Sequence, residues 1–225
     1  MKYRVYNDTL NPAIWNGEAI KPEVAAILKK IANDFYIDAK LDIPLEDIIL
    51  IGSSANFNWT PKSDLDLHLV LDLKRINPDL KQAQIYADSI KSKWNDQHDI
   101  HFGPHNVEVY LQDKTATPVS TGVFSIIKNQ WLQKPSKQEI SLQKDVIQSK
   151  YREFKTKIND AISRKDVKSL KSLVDDIYNY RQVGLTKGGE ISNENVVFKL
   201  LRQAGHLDKL KNHIVSLYDK SVSSP

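Results

Sequence analysis

The sequence predicts an α+β fold, a small mixed sheet with flanking helices followed by a C-terminal helical bundle. Three observations carry that expectation. Two apolar runs, IILI at 48–51 and LDLHLVL at 65–71, are separated by a turn-rich spacer, and the second alternates like a half-buried strand. From Ser136 onward, apolar residues recur at three- and four-residue intervals over long stretches, the period of amphipathic helices. Charge divides the same way: residues 1–120 hold 13 Lys+Arg against 17 Asp+Glu, and residues 121–225 hold 19 against 11.

The elements follow in order. Residues 3–20 read as irregular, with Asn11-Pro12 as a turn and Trp15 as an anchor. Lys21-Pro22-Glu23 starts a helix, because proline fits a first turn whose N–H groups are unused. Val24, Ile27, Leu28, Ile31 and Phe35 form its core face. Pro44 precedes a strand at 47–52, and 56–62 reads as a loop or short helix in which Trp59 packs. After the second strand, Asn77-Pro78-Asp79 caps a helix running to about Asn95, with Leu80, Ala83, Tyr86, Ala87, Ile90 and Trp94 along one side. Gly103-Pro104 reads as a turn between strands near 98–102 and 106–112, and 119–135 supplies one more short strand or hairpin.

The join between the two regions is expected near 130–138, giving a core at 1–130 and a helical domain at 131–225. Leu142, Val146, Ile147, Tyr151, Phe154, Ile158 and Ile162 mark one long helix, and a second is expected at about 166–181 with Asp166 as its N-cap. In RQVGLTKGGEISNENVVFKLLR (181–202), Gly188-Gly189 make a turn, Ser192 caps, and Val196, Val197, Leu200 and Leu201 recur at helical spacing. Only the tail SVSSP reads as disordered.

Composition sets further bounds. A chain of 225 residues buries an ample core without staples. It has no cysteine, which excludes disulfides, thiolate metal sites and cysteine nucleophiles. No apolar run approaches a membrane span and MKYRVYNDTL lacks a signal-peptide core, so a cytoplasmic protein with no membrane partner is expected.

The chemistry concentrates in DIILIGSSANFNWTPKSDLDLHLVLD (47–72). On the second strand Leu65, Leu67, Leu69 and Leu71 share one face, and Asp64, Asp66, His68 and Val70 the other. Two carboxylates pointing the same way two residues apart repel unless a cation lies between them. Small residues at the preceding turn, Gly52-Ser53-Ser54, expose backbone N–H groups that suit phosphate oxygens. The carboxylates suit the hard cation that accompanies phosphate.

This pattern resembles the DNA polymerase beta-like nucleotidyltransferase superfamily, whose signature is an apolar residue, Gly-Ser, a spacer of roughly ten residues and acid-apolar-acid-apolar. Gly52, Ser53, Asp64, Leu65, Asp66 and Leu67 match it residue for residue. LNPAIWNGEAIKPEV and 181–202 add a softer likeness to phage-encoded predicted nucleotidyltransferases. The resemblance implies transfer of a nucleoside monophosphate from a nucleoside triphosphate, ATP first, to an acceptor hydroxyl such as an RNA 3′ end, a protein or a small molecule. A phage protein of this kind would act in the host cytoplasm. The resemblance also implies two Mg²⁺ ions, with Mn²⁺ as a substitute, held by Asp64, Asp66 and a third carboxylate on a neighbouring strand. Glu108 is the first candidate for that third carboxylate, ahead of Asp113 and Asp99. Gly52, Ser53, Ser63 and Lys199 are the candidates for holding nucleotide. Lys187 or Arg202 on phosphate, and Glu190 and Asn195 at the acceptor, extend the reading, against a plain turn and cap between packed helices.

Other classes stay open. The basic C-terminal half suits triphosphate or an RNA backbone, or is a solvated helical surface. His98, His101 and His105 on a hairpin suggest zinc, though their spacing fits no zinc pattern. His68 would neighbour the carboxylates. The alternative to an enzyme is a non-catalytic nucleotide- or nucleic-acid-binding module on the same fold, which a third acid remote from Asp64 and Asp66 would favour.

Overall fold

The computed structural model describes residues 6–118, 120–137 and 142–223. Parts of the expected elements lie outside them: residues 3–5, Val119, residues 138–141, the last two residues of the tail, and the side chain of Glu190. The chain divides into two compact units, Met1–Gln138 and Glu139–Pro225.

The first unit is α+β. A two-residue hairpin, β1 (Trp15–Asn16) with β2 (Ala19–Ile20), interrupts the N-terminal stretch expected to be irregular. Helix α1 (Pro22–Ala39) begins on its proline and ends where Lys40 takes a left-handed conformation. It buries Val24, Leu28, Ile31, Ala32 and Phe35; Ile27, expected in that face, is exposed. Strand β3 (Leu45–Ile51) pairs antiparallel with β4 (Leu65–Leu71), so that Ile49 faces His68 and Ile51 faces Asp66 across the ladder. A short 3₁₀ turn, Ser53–Ala55, follows β3 where the sequence suggested a strand-to-helix turn.

Strands β4 and β6 (His105–Asp113) run parallel and therefore need a crossover, which α2 (Leu80–Gln97) provides. Asp79 caps α2, accepting from the N–H groups of Lys81 and Gln82. Tyr86, expected on its packed side, is exposed, because Ala83, Ala87 and Trp94 alone carry the buried stripe. The hairpin partner of β6 is only two residues long, β5 (His101–Phe102). Beyond it, the Asn95 side chain takes the place of a neighbouring strand, its amide bonding both the N–H and C=O of Val109. The sheet closes with the hairpin β7 (Val123–Ser125) and β8 (Gln130–Gln133), in the order β5-β6-β4-β3-β7-β8.

One face of this sheet is the core. Leu65, Leu67, Leu69 and Leu71 are fully buried with Ile48, Leu50, Val107, Val109 and Leu111 against the residues of α1 and α2. The same core extends to Trp15, which stacks on Trp131 at 4.7 Å and meets Phe124 edge-on. The opposite face carries Asp66, His68, Glu108 and Tyr110, all partly accessible.

The second unit is helical: α3 (Lys144–Arg164), α4 (Val167–Gly188), α5 (Asn193–Gln203) and α6 (His206–Ser223). Asp166 caps α4 and Ser192 caps α5 through the N–H of Asn195. Val146, expected on the packed side of α3, is exposed. Helix α4 continues past the expected end to Gly188, and Gly189 closes it at φ +65°. A Cβ on Gly184 would lie 2.4 Å from the Glu194 side chain, so α4 and the start of α5 cross at backbone distance. Helix α6 was not expected from the sequence, although Leu207 and Leu210 are buried at helical spacing. It takes in Ser221 to Ser223, so that part of the tail is helical rather than disordered. Among the described residues no helix is long and apolar enough to cross a membrane.

Candidate functional site

The site forms at the ends of β3 and β4 and on the neighbouring β6. Alternation on β4 puts its leucines into the core and leaves Asp66 on the open face, with Asp64 just ahead of the strand. The parallel register then sets Glu108 directly beside Asp66, and Tyr110 beside His68. Periodicity alone could not supply that register, because it depends on how far the α2 crossover advances the chain.

Gly52 lies against the Asp66 carboxylate. Its φ of +73° is a conformation that L side chains rarely adopt. A Cβ there would lie 1.9 Å from Asp66 Oδ2, so the carboxylate occupies the space that any other residue would fill. The turn after Gly52 is fixed from two directions. The Ser53 hydroxyl donates to Ser63 Oγ at 2.8 Å, and that oxygen also accepts from the Thr60 N–H. Ser54 Oγ donates to the Asp64 carbonyl at 2.6 Å. On the other side, Ser120 Oγ accepts from the Gly52 N–H and from Asn56 Nδ2, and Asn56 also donates to the Gly52 carbonyl. Ser63 is buried, so its hydroxyl holds Ser53 in position and is not itself open to a ligand.

No family model, curated protein or solved structure matches this chain. The chemistry of the site therefore rests on its own residues.

Glu108 is held from its own strand. Tyr110 donates from its hydroxyl to Glu108 Oε2 at 2.5 Å. Burial, the charges of Asp66 and Glu108, the bond to Glu108 and the charge of Asp64 together push the phenol far above the usual tyrosine range. All three carboxylates thus act on one phenol, which remains an O–H donor at any physiological pH. The tyrosine ring stacks on His68 at 4.5 Å, and Lys91 Nζ lies 4.3 Å from the ring centre. His68 Nδ1–H donates to Gln112 Oε1 at 2.8 Å. Burial lowers the pKa of His68 to about 4, against the Gln112 bond and with help from Lys91, so the imidazole is neutral.

The weaker acid candidates lie elsewhere. Asp113 pairs in register with Leu71, at the far end of β6 from Glu108, and locks a turn by accepting from the Leu73 N–H and from Thr115. Burial opposes its charge, but the bonds from Thr115 and Leu73 outweigh it and hold its carboxyl below the usual range. Asp99 is exposed and accepts from His101. The histidines are engaged separately. His98 donates to the Trp94 carbonyl, and buried His105 donates from Nδ1 to the Ser63 carbonyl while accepting from Asn11. His105 therefore ties the loop before Asp64 to the start of β6. Among the described residues no three His, Asp or Glu side chains gather closely enough to share an ion.

Lys199 and Arg202 are on α5 and Lys187 on α4, in the helical unit, whereas the other candidates belong to the sheet. Asn195 is buried, accepting from Arg181 Nε at 3.1 Å, and Arg181 stacks over Phe198. Sequence reasoning missed Tyr110, Ser120 and Asn56, and read His105 only as part of a zinc hairpin, not as the tie between Ser63 and Asn11. Tyr110 carried a signal, sharing a strand face with Glu108 two residues away. Ser120 carried none, because its partner Gly52 is 68 residues distant.

Proposed function

We propose that this protein is a metal-dependent nucleotidyltransferase that moves a nucleoside monophosphate from a nucleoside triphosphate to an acceptor hydroxyl. The observation that carries the reading is the register of Asp66 beside Glu108, with the Asp66 carboxylate seated against Gly52. Two like charges on adjacent strands raise each other's energy unless a cation is present. The donor set is entirely hard oxygen, which suits Mg²⁺ or Mn²⁺.

Asp64, Asp66 and Glu108 would hold the metal, which when bound neutralises phosphate charge and makes an acceptor hydroxyl more acidic. The remaining work falls to the chain. Ser53, on the turn fixed by Ser63 and Ser120, orients phosphate oxygens by redirecting its hydroxyl proton from Ser63. Gly52 lets that turn approach the carboxylates closely. Tyr110 keeps Glu108 directed within the site. ATP is the first donor to test and an RNA 3′ end the first acceptor, in line with the basic helical half.

The test is incubation with each α-labelled nucleoside triphosphate, Mg²⁺ or Mn²⁺, and total cellular RNA and protein, beside an Asp64→Asn/Asp66→Asn control. Label should enter a macromolecule with the wild-type protein alone. Equal labelling by the control would overturn the assignment. Nucleotide binding that ignores both Mg²⁺ and the Asp66→Asn change would favour a binding module.

A further inference from the structure

The cations of α3 fall into two groups. On one side Lys150 and Lys157 close on Glu153 at 2.9 and 2.7 Å, and Lys150 also lies over the Phe154 and Tyr180 rings. On another side Gln148, Arg152, Lys155 and Asn159 recur at helical spacing as an exposed line without an acid, and Asp145 is two turns before Arg152. Among the described residues Arg152 and Lys155 form no ion pair. Tyr151 borders that line and joins it to α6: its hydroxyl donates to His206 Nε2 at 3.2 Å, with the two rings 6.0 Å apart. One turn further along α6, exposed Lys209 is likewise unpaired among the described residues, although Asp208 precedes it in the chain. Burial first, and then the charges of Lys155 and Lys209, lower the pKa of His206, so both lysines act on an imidazole that stays uncharged at neutral pH.

Cations gathered without counter-charge raise one another's energy, and packing requires none of these three, since all are exposed. A line of Arg, Lys and amide side chains is the chemistry that holds phosphate and sugar oxygens without reading bases. A partly accessible tyrosine beside it offers a ring on which a base can stack. Arg152 and Lys155 succeed each other along one helix line, with Gln148 and Asn159 at its ends, an extended arrangement that suits a strand better than a single phosphate group. We propose that the α3–α6 surface of Arg152, Lys155 and Lys209 around the Tyr151–His206 pair binds the backbone of single-stranded RNA. The choice of RNA rests on the transferase reading above, in which an RNA 3′ end is the first acceptor; the binding itself needs neither metal nor transfer.

The experiment is fluorescence anisotropy of a fluorescein-labelled, mixed-sequence single-stranded RNA of about 15 nucleotides, titrated with the full chain in EDTA over a series of salt concentrations. It compares the wild type, Arg152→Gln/Lys155→Gln/Lys209→Gln, and a charge-matched control, Lys29→Gln/Lys81→Gln/Lys93→Gln, with each fold checked by circular dichroism. The wild type and the control should bind alike. The α3–α6 variant should bind about 30- to 100-fold more weakly near 0.1 M salt, and its plot of log affinity against log salt should flatten by about 2, as three lost phosphate contacts require. No binding by the wild type, or equal losses in the variant and the control, overturns the proposal. Binding of this surface to phosphatidylserine vesicles and not to RNA also overturns it, in favour of a membrane surface. A second measurement needs no variant: bound RNA should shield Lys155 and Lys209 from acetylation, read by mass spectrometry, and unshielded lysines overturn the assignment. Asp64→Asn/Asp66→Asn should bind RNA as the wild type does. RNA binding without any nucleotide transfer would therefore remove the transferase reading and leave this surface standing, and transfer without RNA binding would do the reverse.

Discussion

The two faces of β4 use one backbone for opposite purposes. Leu65, Leu67, Leu69 and Leu71 are sealed in the core, while Asp66 and His68 sit between them on the other side. On the first face each side chain gains by losing water. On the second, a carboxylate is kept partly hydrated beside another carboxylate, an arrangement with no packing benefit. Stability and chemistry are therefore separable by steps of one residue, and substitutions on adjacent positions should have unlike consequences.

The sharpest contrast is between positions 66 and 67. Asp66→Asn should abolish nucleotide transfer and Mn²⁺ binding while leaving the thermal melt within a few degrees of wild type; a collapsed fold would break the separation. Leu67→Ala should cost about 2–5 kcal/mol in denaturant unfolding, because a fully buried leucine leaves a cavity. Its transfer rate per folded molecule should change little.

His68 tests the open face by pH. Its folded pKa of about 4 lies below the ordinary value of about 6.5, so the unfolded chain takes up the proton first as pH falls. Stability should be constant above about pH 6.5 and decline by up to about 3 kcal/mol between there and pH 4. His68→Leu should flatten that window, and urea titrations at half-unit steps would show it. A wild-type slope no steeper than the variant's would remove the half-buried neutral imidazole from the account. Gly52→Ala should cost about 1–3 kcal/mol from the positive φ. Since the new methyl group would meet Asp66 Oδ2, its transfer activity should fall much further than its stability.

Most of the sheet unit could be read from the sequence because its signals are local. Alternation gave β4, the Gly103-Pro104 turn gave the β5–β6 hairpin, and Pro22 gave the start of α1. The candidate acids were legible for the same reason, as polar interruptions of apolar runs. What sequence could not reveal depends on register and long-range pairing. The adjacency of Asp66 and Glu108 needed the crossover length, and the attachment of Gly52 to Ser120 needed the whole sheet. Helix α6 was not singled out although Leu207, Leu210, Ile214 and Leu217 recur at helical spacing, and Leu207 and Leu210 are the positions it buries. The exposed Ile27, Tyr86 and Val146 show the converse, apolar residues at helical spacing that fall just outside the buried stripe.

One detail at the rim of the sheet has a bearing on how the molecule behaves in a crowd. Strand β6 would offer its middle as a template to any extended peptide, were the amide of Asn95 not already bonded to both polar groups of Val109. A single side chain thus discourages the sheet from recruiting further strands beside Glu108, where a stray segment would also obstruct the open face. Asn95→Ala should leave the interior packing untouched and yet raise the tendency to self-associate through that rim.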